Sequence, residues 1–345
     1  MTAVDRRAFL AAALSVAAAP CCGLTGVAAQ EPVARGGGWI DLHHHFAPPA
    51  WVAEVRGKPL LQPANTRWTP EQSIEDLDRG GVAAAVVSIT NPGLWFGDVE
   101  QVRRLARACN DYGARLVQDR PSRFGLFAAL PLPDVDASLR EIAYAYDTLK
   151  TDGIGLYTSY GTKWLGDPSF RPVMEELNRR KAIVTVHPTA ADCCRNLTYA
   201  PGVGPGTIEY GTDTTRAILG ITFSGDAARF PDIRFIWSHA GGSAPFLAGR
   251  IDGASASARD ALPGGFIAAA KRFYYDTAGA SNRGALISLR ELVGPSRIVF
   301  GTDAPSSGSV VPVLKALADT RLFDDVELQT VGRGNAVALM PRFAR

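Results

Sequence analysis

The chain has 345 residues, 46% of them hydrophobic, with 36 basic against 34 acidic side chains and a formal net charge of +2 at pH 7. That size and apolar content suffice for a large buried core and fit one α/β barrel or two ordinary domains. A balanced charge without a basic stripe or long like-charge run excludes the electrostatic footprint that nucleic-acid binding needs.

At the N-terminus, Asp5, Arg6, Arg7, Ala8, Phe9 and Leu10 resemble a twin-arginine signal, and the apolar run Ala8 to Ala19 is too short to anchor the chain in a bilayer. The small residues Val27-Ala28-Ala29 set an expected cleavage point that leaves Gln30 first and removes Cys21 and Cys22. Ala-Ala-Pro before Cys21 is a poor lipid-attachment site. Residues 1–29 are therefore read as a signal for twin-arginine export of a folded protein to the periplasm, and residues 30–345 as one domain without a membrane span. An Ala-rich N-terminal helix of a soluble protein is the alternative.

Downstream, apolar β-type runs alternate with helical patterns. The strand Gly38 to His45 is followed by a helix at Pro70 to Arg79, and Ala83 to Ile89 by a helix at Val99 to Asp119. Phe124 to Leu130 precedes helix Val135 to Leu149, Gly153 to Thr158 precedes Phe170 to Arg180, and Ala182 to His187 precedes Thr214 to Arg229. Arg234 to His239 leads to Ala244 to Ile251, Phe273 to Thr277 to Arg283 to Leu292, and Arg297 to Thr302 to Val310 to Ala318. Eight strands alternating with eight helices, without a linker, predict a single (β/α)8 TIM barrel. A doubly wound open sheet is the alternative, but no glycine-rich GxGxxG turn follows the first strand.

Cysteine carries little information. Cys109, Cys193 and Cys194 remain after cleavage, an odd number whose adjacent pair suits neither an ordinary disulfide nor the spaced pairs of a cysteine zinc site. Buried or loop thiols are expected.

Histidine carries a great deal. All five copies fall at three strand ends: His43, His44 and His45, then His187, then His239. The period of two puts His43 and His45 on one face and His44 on the other, where it is expected to pack or hydrogen-bond behind the site. In a TIM barrel the strand C-termini form one mouth, so these residues and the Gly301-Thr302-Asp303 end of the eighth strand converge, a distribution that points to a metal site.

The Asp41-x-His43-x-His45 start, His187-Pro188, His239-Ala240-Gly241-Gly242 and Gly301-Thr302-Asp303 resemble the amidohydrolase superfamily, and the likeness spans nearly all of the mature chain. Within it, Leu165-Gly166-Asp167-Pro168 with Phe170 and Pro172, and the segment Ser238 to Asp252, resemble the branch of aminocarboxymuconate-semialdehyde decarboxylase and related aromatic-acid decarboxylases. The opening His43-His44-His45-Phe46-x-Pro48-Pro49 and Asp213-Thr214-Thr215-Arg216 look most like its 6-methylsalicylate decarboxylase-like members.

The resemblance implies that His43, His45, His187 and Asp303 bind one divalent metal ion, with His239 as the acid-base residue. Three imidazoles and a carboxylate match a catalytic zinc shell with an open position; Mn2+ and Mg2+ are alternatives. A second metal is not expected, because Gly153 to Tyr157 offers no lysine to bridge two ions and Lys150 and Lys163 lie outside that strand. The implied reaction is non-oxidative decarboxylation of a small aromatic hydroxy acid or muconate-like acid, with a salicylate-type substrate favoured and His239 and Asp303 catalytic. Hydrolysis of a lactone, ester or amide on the same site is the alternative, and a non-catalytic binder the third.

For a planar acid, Trp95 and Phe96 after the second strand, Tyr157 and Tyr160 after the fourth, and Tyr275 near the end of the seventh are candidate contacts, set against ordinary packing. Arg195, Arg216 and Arg250 are candidate carboxylate anchors, and Arg250 could equally serve a helix end or a subunit contact. The small-molecule acid is the expected partner, with a homodimer or larger homo-oligomer implied by the family.

Overall fold

The computed structural model describes residues 38–58, 63–189, 200–201, 203–204, 206–255, 262, 264–306 and 308–344. The expected export signal and the predicted substrate contact Arg195, like Cys193 and Cys194, lie outside the described residues.

Eight parallel strands follow chain order around a barrel: β1 Trp39–Phe46, β2 Val82–Ile89, β3 Phe124–Ala129, β4 Gly153–Tyr157, β5 Ile183–His187, β6 Arg234–Trp237, β7 Tyr274–Asp276 and β8 Ile298–Val299. Each pairs with the next. The residues just past β8 close the ring against β1, through Leu42 N–H to Phe300 O at 2.9 Å, Asp303 N–H to His43 O at 2.8 Å and His45 N–H to Ala304 O at 2.7 Å. Strands buried on both faces must be apolar almost throughout, which explains the continuous runs in the sequence. A two-stranded hairpin, Ser159–Tyr160 with Lys163–Trp164, rises after β4.

Alternation along the strands sorts two cores. Ile40, Leu42, Val86, Phe127, Ile183, Ile236 and Val299 fill the barrel interior, plugged from below by Leu339, Met340 and Phe343 near the C-terminus. Their neighbours Val184, Val186, Phe235 and Trp237 face outward against the helices. A register shift between Asp41 and His44 lets β1 place Leu42 in the interior floor and still turn His43 and His45 into the mouth.

Helix starts are fixed by side-chain caps. Thr69 accepts from Gln72 N–H at the head of α2 (Pro70–Gly80), Asp98 from Gln101 N–H at α3 (Val99–Asp119), and Asp134 from Ala137 N–H at α4 (Val135–Ala143). A short α1 (Pro49–Val55) precedes them, and α5 spans Arg171–Arg179. The predicted helix Val135 to Leu149 is α-helical only to Ala143 and then opens into a π turn over Tyr144–Leu149.

The largest departure from expectation lies after β5. The predicted helix Thr214 to Arg229 starts at Gly206 and is interrupted, giving α6 (Gly206–Phe223) and α7 (Asp226–Arg229). Gly225, at φ 81°, breaks it. The N-terminal half of α6 escapes hydrophobic-period reasoning because its buried face is polar, with Glu209, Asp213, Thr214 and Thr215 inside. Beyond it follow α8 (Ala244–Ala254), α9 (Gly265–Ala270), α10 (Arg283–Val293) and α11 (Val310–Asp319). Among the described residues no helix is long and apolar enough to cross a membrane.

Candidate metal centre and active site

The C-terminal ends of β1 and β5 and the turn after β8 bring His43, His45, His187 and Asp303 together, with one ligand atom of each within 4.8 Å of all the others. His43 Nε2 lies 3.2 Å from His45 Nε2. Asp303 Oδ1 lies 2.9 Å from His45 Nε2 and 3.5 Å from His43 Nε2. The three imidazoles meet edge to face, with centroids 4.8 to 5.1 Å apart.

The outer nitrogens decide what the inner ones can do. His43 Nδ1 sits 2.7 Å from Asp276 Oδ2, His45 Nδ1 3.2 Å from Ser88 O, and His187 Nδ1 2.8 Å from Pro188 O. Carbonyls and a carboxylate only accept, so each Nδ1 carries a proton and each ring turns its Nε2 inward, where its deprotonated form offers a lone pair. Asp303 Oδ1 is buried and, among the described residues, its near neighbours are the Nε2 atoms of His45 and His43. Three Nε2 atoms and a carboxylate oxygen thus converge on one point, an arrangement of electron-pair donors that a cation, whether a proton or a metal ion, would hold together. The donor set fits a divalent metal, and these four residues could hold it.

Electrostatics agree. Burial pushes His187 well below its usual range, helped by the neighbouring His45, His43 and His239, and burial also lowers His45 against the pull of Asp303. Burial works against the Asp303 carboxylate, but the neighbouring His239, His43 and His45 outweigh it and hold it well below the usual carboxylate range. For His43 burial is likewise outweighed, here by Asp276 and Asp303, which raise it to about 10. The same two carboxylates that favour a proton on His43 would favour a divalent cation in its place.

The sign of the resulting pH dependence follows. A ligand with its pKa raised to about 10 is protonated below that pH, so metal must displace a proton there. Metal uptake near pH 7.5 is expected to release about one proton, and apparent affinity to rise roughly tenfold per pH unit toward pH 10. Calorimetry in buffers of different ionisation enthalpy checks this; uptake without proton release refutes it.

His239 stands beside the cluster, its Nε2 3.7 Å from Asp303 Oδ2 and its Nδ1 buried without a partner among the described residues. The predicted strand Arg234 to His239 stops at Trp237, because His239 and Ala240 both take φ 55° and the chain turns sharply. That turn is held by Asp276, which sequence reasoning missed. Asp276 Oδ1 accepts from the backbone N–H of His239 at 2.9 Å and of Ala278 at 3.0 Å, while Oδ2 holds His43. One fully buried carboxylate therefore orients both a candidate ligand and the candidate acid-base residue. The available signal was a lone acid in the apolar run of β7, whose alternation turns Asp276 inward. Tyr275, a predicted substrate contact, consequently faces outward, where its hydroxyl donates to Ala270 O. Gly301 must be glycine, since a Cβ there would stand 2.7 Å from His43 Cβ and 3.1 Å from Asp276 Cβ.

Behind β1, His44 faces away from the cluster as its position in the strand requires. Its Nδ1 lies 3.1 Å from Asp41 Oδ2 and its Nε2 2.8 Å from Ser73 Oγ. Asp41 also accepts from His43 N–H, Thr302 N–H and Thr302 Oγ1, pinning β1 to the turn that carries Asp303.

The predicted substrate contacts scatter. Tyr157 touches the His187 ring edge to face at 6.3 Å, but its hydroxyl is committed to Ile89 O and Thr90 O. Trp95 and Tyr160 line a cavity next to Tyr157. Phe96 is half-buried with Lys58 over its ring. Arg216, on α6, pairs with Asp213 at 2.9 Å. Arg250 is exposed on α8, and the structure does not bring it to the histidines of this chain. Missed altogether was Tyr210 on α6, whose ring contacts both His187 and His239.

The family model described as amidohydrolase matches residues 40–342. The chain is 35% identical over 322 residues to a decarboxylase of Penicillium terrestre, covering 88% of this chain and 95% of that protein. It is 34% identical over 323 residues to 6-methylsalicylic acid decarboxylase of Penicillium expansum, covering 88% and 96%. A solved dihydroxybenzoic acid decarboxylase from a Polaromonas species, with bound manganese and the inhibitor 2-nitroresorcinol, shares the fold at a TM-score of 0.76 and 22% identity, covering 88% of this chain and 97% of that one. With a match over nearly the whole barrel and relatives above 30% identity, the chain belongs to the amidohydrolase family.

Proposed function

We propose that this carboxy-lyase removes the carboxylate of a small aromatic acid with a hydroxyl beside it, salicylate-type, with His43, His45, His187 and Asp303 holding one divalent cation and His239 and Asp303 handling the proton. The observation that carries the reading is the convergence of three Nε2 lone pairs on Asp303 with His239 alongside, in a chain similar over 88% of its length to decarboxylases. A bound cation would supply Lewis-acid polarisation of the acid's paired oxygens. Three imidazoles and a carboxylate suit zinc; manganese, present in the Polaromonas neighbour, is the competing ion.

Decarboxylation needs a proton at the ring carbon that bears the carboxylate. That carbon gains a C–H bond, the bond to the carboxylate breaks, its electron pair restores the aromatic ring, and carbon dioxide leaves. His239 Nε2 and Asp303 Oδ2, 3.7 Å apart, are the two groups placed to exchange and deliver that proton. The unpaired Nδ1 of His239 leaves the ring free to carry it on either nitrogen.

Hydrolysis is the disfavoured alternative, and one experiment separates the two. Protein with its metal measured is incubated with salicylate-type acids in deuterated water. Carbon dioxide release with one deuterium at the vacated ring carbon is expected; water incorporation without gas would favour hydrolysis.

Two further readings belong here. Export by the twin-arginine route is supported by Arg6 and Arg7 ahead of the apolar run; recovery of the protein in the periplasmic fraction, lost on Arg6→Lys with Arg7→Lys, tests it. Self-association is supported by an apolar face on α8 and α10, where Phe246 is 81% and Ile287 39% exposed; a monomer by light scattering would refute it.

A further inference from the structure

Tyr210 has a buried hydroxyl that no other described residue engages. Its ring lies nearly parallel to His239, with centroids 6.4 Å apart and planes at 30°, and edge-on to His187 at 6.1 Å. Its Oη is buried and, among the described residues, has no hydrogen-bond partner. Tyr157, which also meets His187 edge to face, differs in that its hydroxyl is spent on two backbone carbonyls. A buried hydroxyl left unpaired is destabilising, so its presence against two active-site histidines asks for a partner that arrives from outside.

The phenol is also a reliable proton donor. A phenol hydroxyl carries one O–H donor at neutral pH, and this one is buried beside the histidines. Its position is fixed by the helix that carries it. A Cβ on Gly242 would stand 2.0 Å from Gly211 O, and Thr215 Oγ1 accepts from Ser243 N–H at 2.9 Å, so α6 is locked against the His239 turn.

We propose that Tyr210 is a positioning residue whose hydroxyl donates to an anionic oxygen of the bound acid and holds its ring against His239. The inference rests on the reading of the site as one for hydroxy-aromatic acids. It assigns the vacant donor a ligand that carries the complementary acceptor, and it makes α6 part of the substrate site.

The test is Tyr210→Phe in the metal-loaded protein, with salicylate binding followed by tryptophan fluorescence, alongside metal content, thermal unfolding and the carbon dioxide assay. Salicylate Kd is expected to rise about tenfold or more, as for loss of a hydrogen bond to a charged group. KM should rise with it while kcat changes less than about threefold. Metal content should hold, and Tm should stay level or increase, because the variant deletes only an unpaired polar atom. An unaltered salicylate Kd overturns the assignment, as does a lower Tm with metal loss, which would make Tyr210 a packing residue. Binding is read without turnover, so wild-type protein that binds salicylate but releases no carbon dioxide counts against the reaction class and not against Tyr210.

Discussion

Asp303→Asn is expected to abolish decarboxylation, by about 10³-fold or more, and to strip the metal from the purified protein. The side chain enters the proposed chemistry twice. As the one carboxylate among three imidazoles, it supplies the negative charge that makes the cluster suit a cation, and a neutral amide removes that charge from a buried position. As the group 3.7 Å from His239 Nε2, it is also half of the proton-handling pair, and an amide neither holds nor returns a proton. Loss of several kcal/mol of metal-assisted stabilisation, at ~1.4 kcal/mol per tenfold, accounts for the expected factor before any proton-transfer effect is added. Metal analysis and a carbon dioxide assay on the same preparation check the result. Full metal content with unchanged turnover would remove Asp303 from the mechanism.

Asp276→Asn is expected to weaken metal binding about 10- to 100-fold, the usual range for a residue that orients a ligand from behind, with little change in folding. Asp276 Oδ1 is fixed by two backbone donors, the N–H groups of His239 and Ala278. An asparagine must keep its carbonyl oxygen there, which turns its NH2 toward His43 Nδ1. His43 would then accept at Nδ1 and carry its proton on Nε2, pointing an N–H where a lone pair is needed. The same substitution should lower kcat, because the His239 turn loses a charged anchor. Asp276→Glu, which keeps the charge and misplaces it, is the useful companion. Chelator competition reads the metal affinity, and a variant that binds metal as tightly as the parent would show that the His43 tautomer does not depend on Asp276.

These predictions trace which parts of the site were legible in the sequence. The barrel was readable because eight apolar runs buried on both faces leave a composition that only a covered parallel sheet requires. The positions of His43, His45 and His187 were readable because strand ends in this architecture share one mouth. His44 was assigned to the back of the sheet by the period of two alone, and its bonds to Asp41 and Ser73 lie there.

Other features had no local signature. The N-terminal half of α6 buries Glu209, Asp213, Thr214 and Thr215, so a method that looks for an apolar stripe passes over it, and Tyr210 with it. Arg250, offered by residue type as an anchor or as a helix-end or subunit contact, is exposed on α8.

The sequence by itself determined the architecture, the strand ends that carry the histidines and the family, since backbone periodicity and short motifs are local properties of the chain. Only the tertiary structure decided that His43, His45 and His187 turn their Nδ1 to acceptors, that Asp276 links His43 to the His239 turn, and that Tyr210 faces both His187 and His239. Those are relations between side chains hundreds of atoms apart along the polymer, set by strand register, by the bulge in β1 and by close glycine contacts. No residue's own neighbours in sequence encode them.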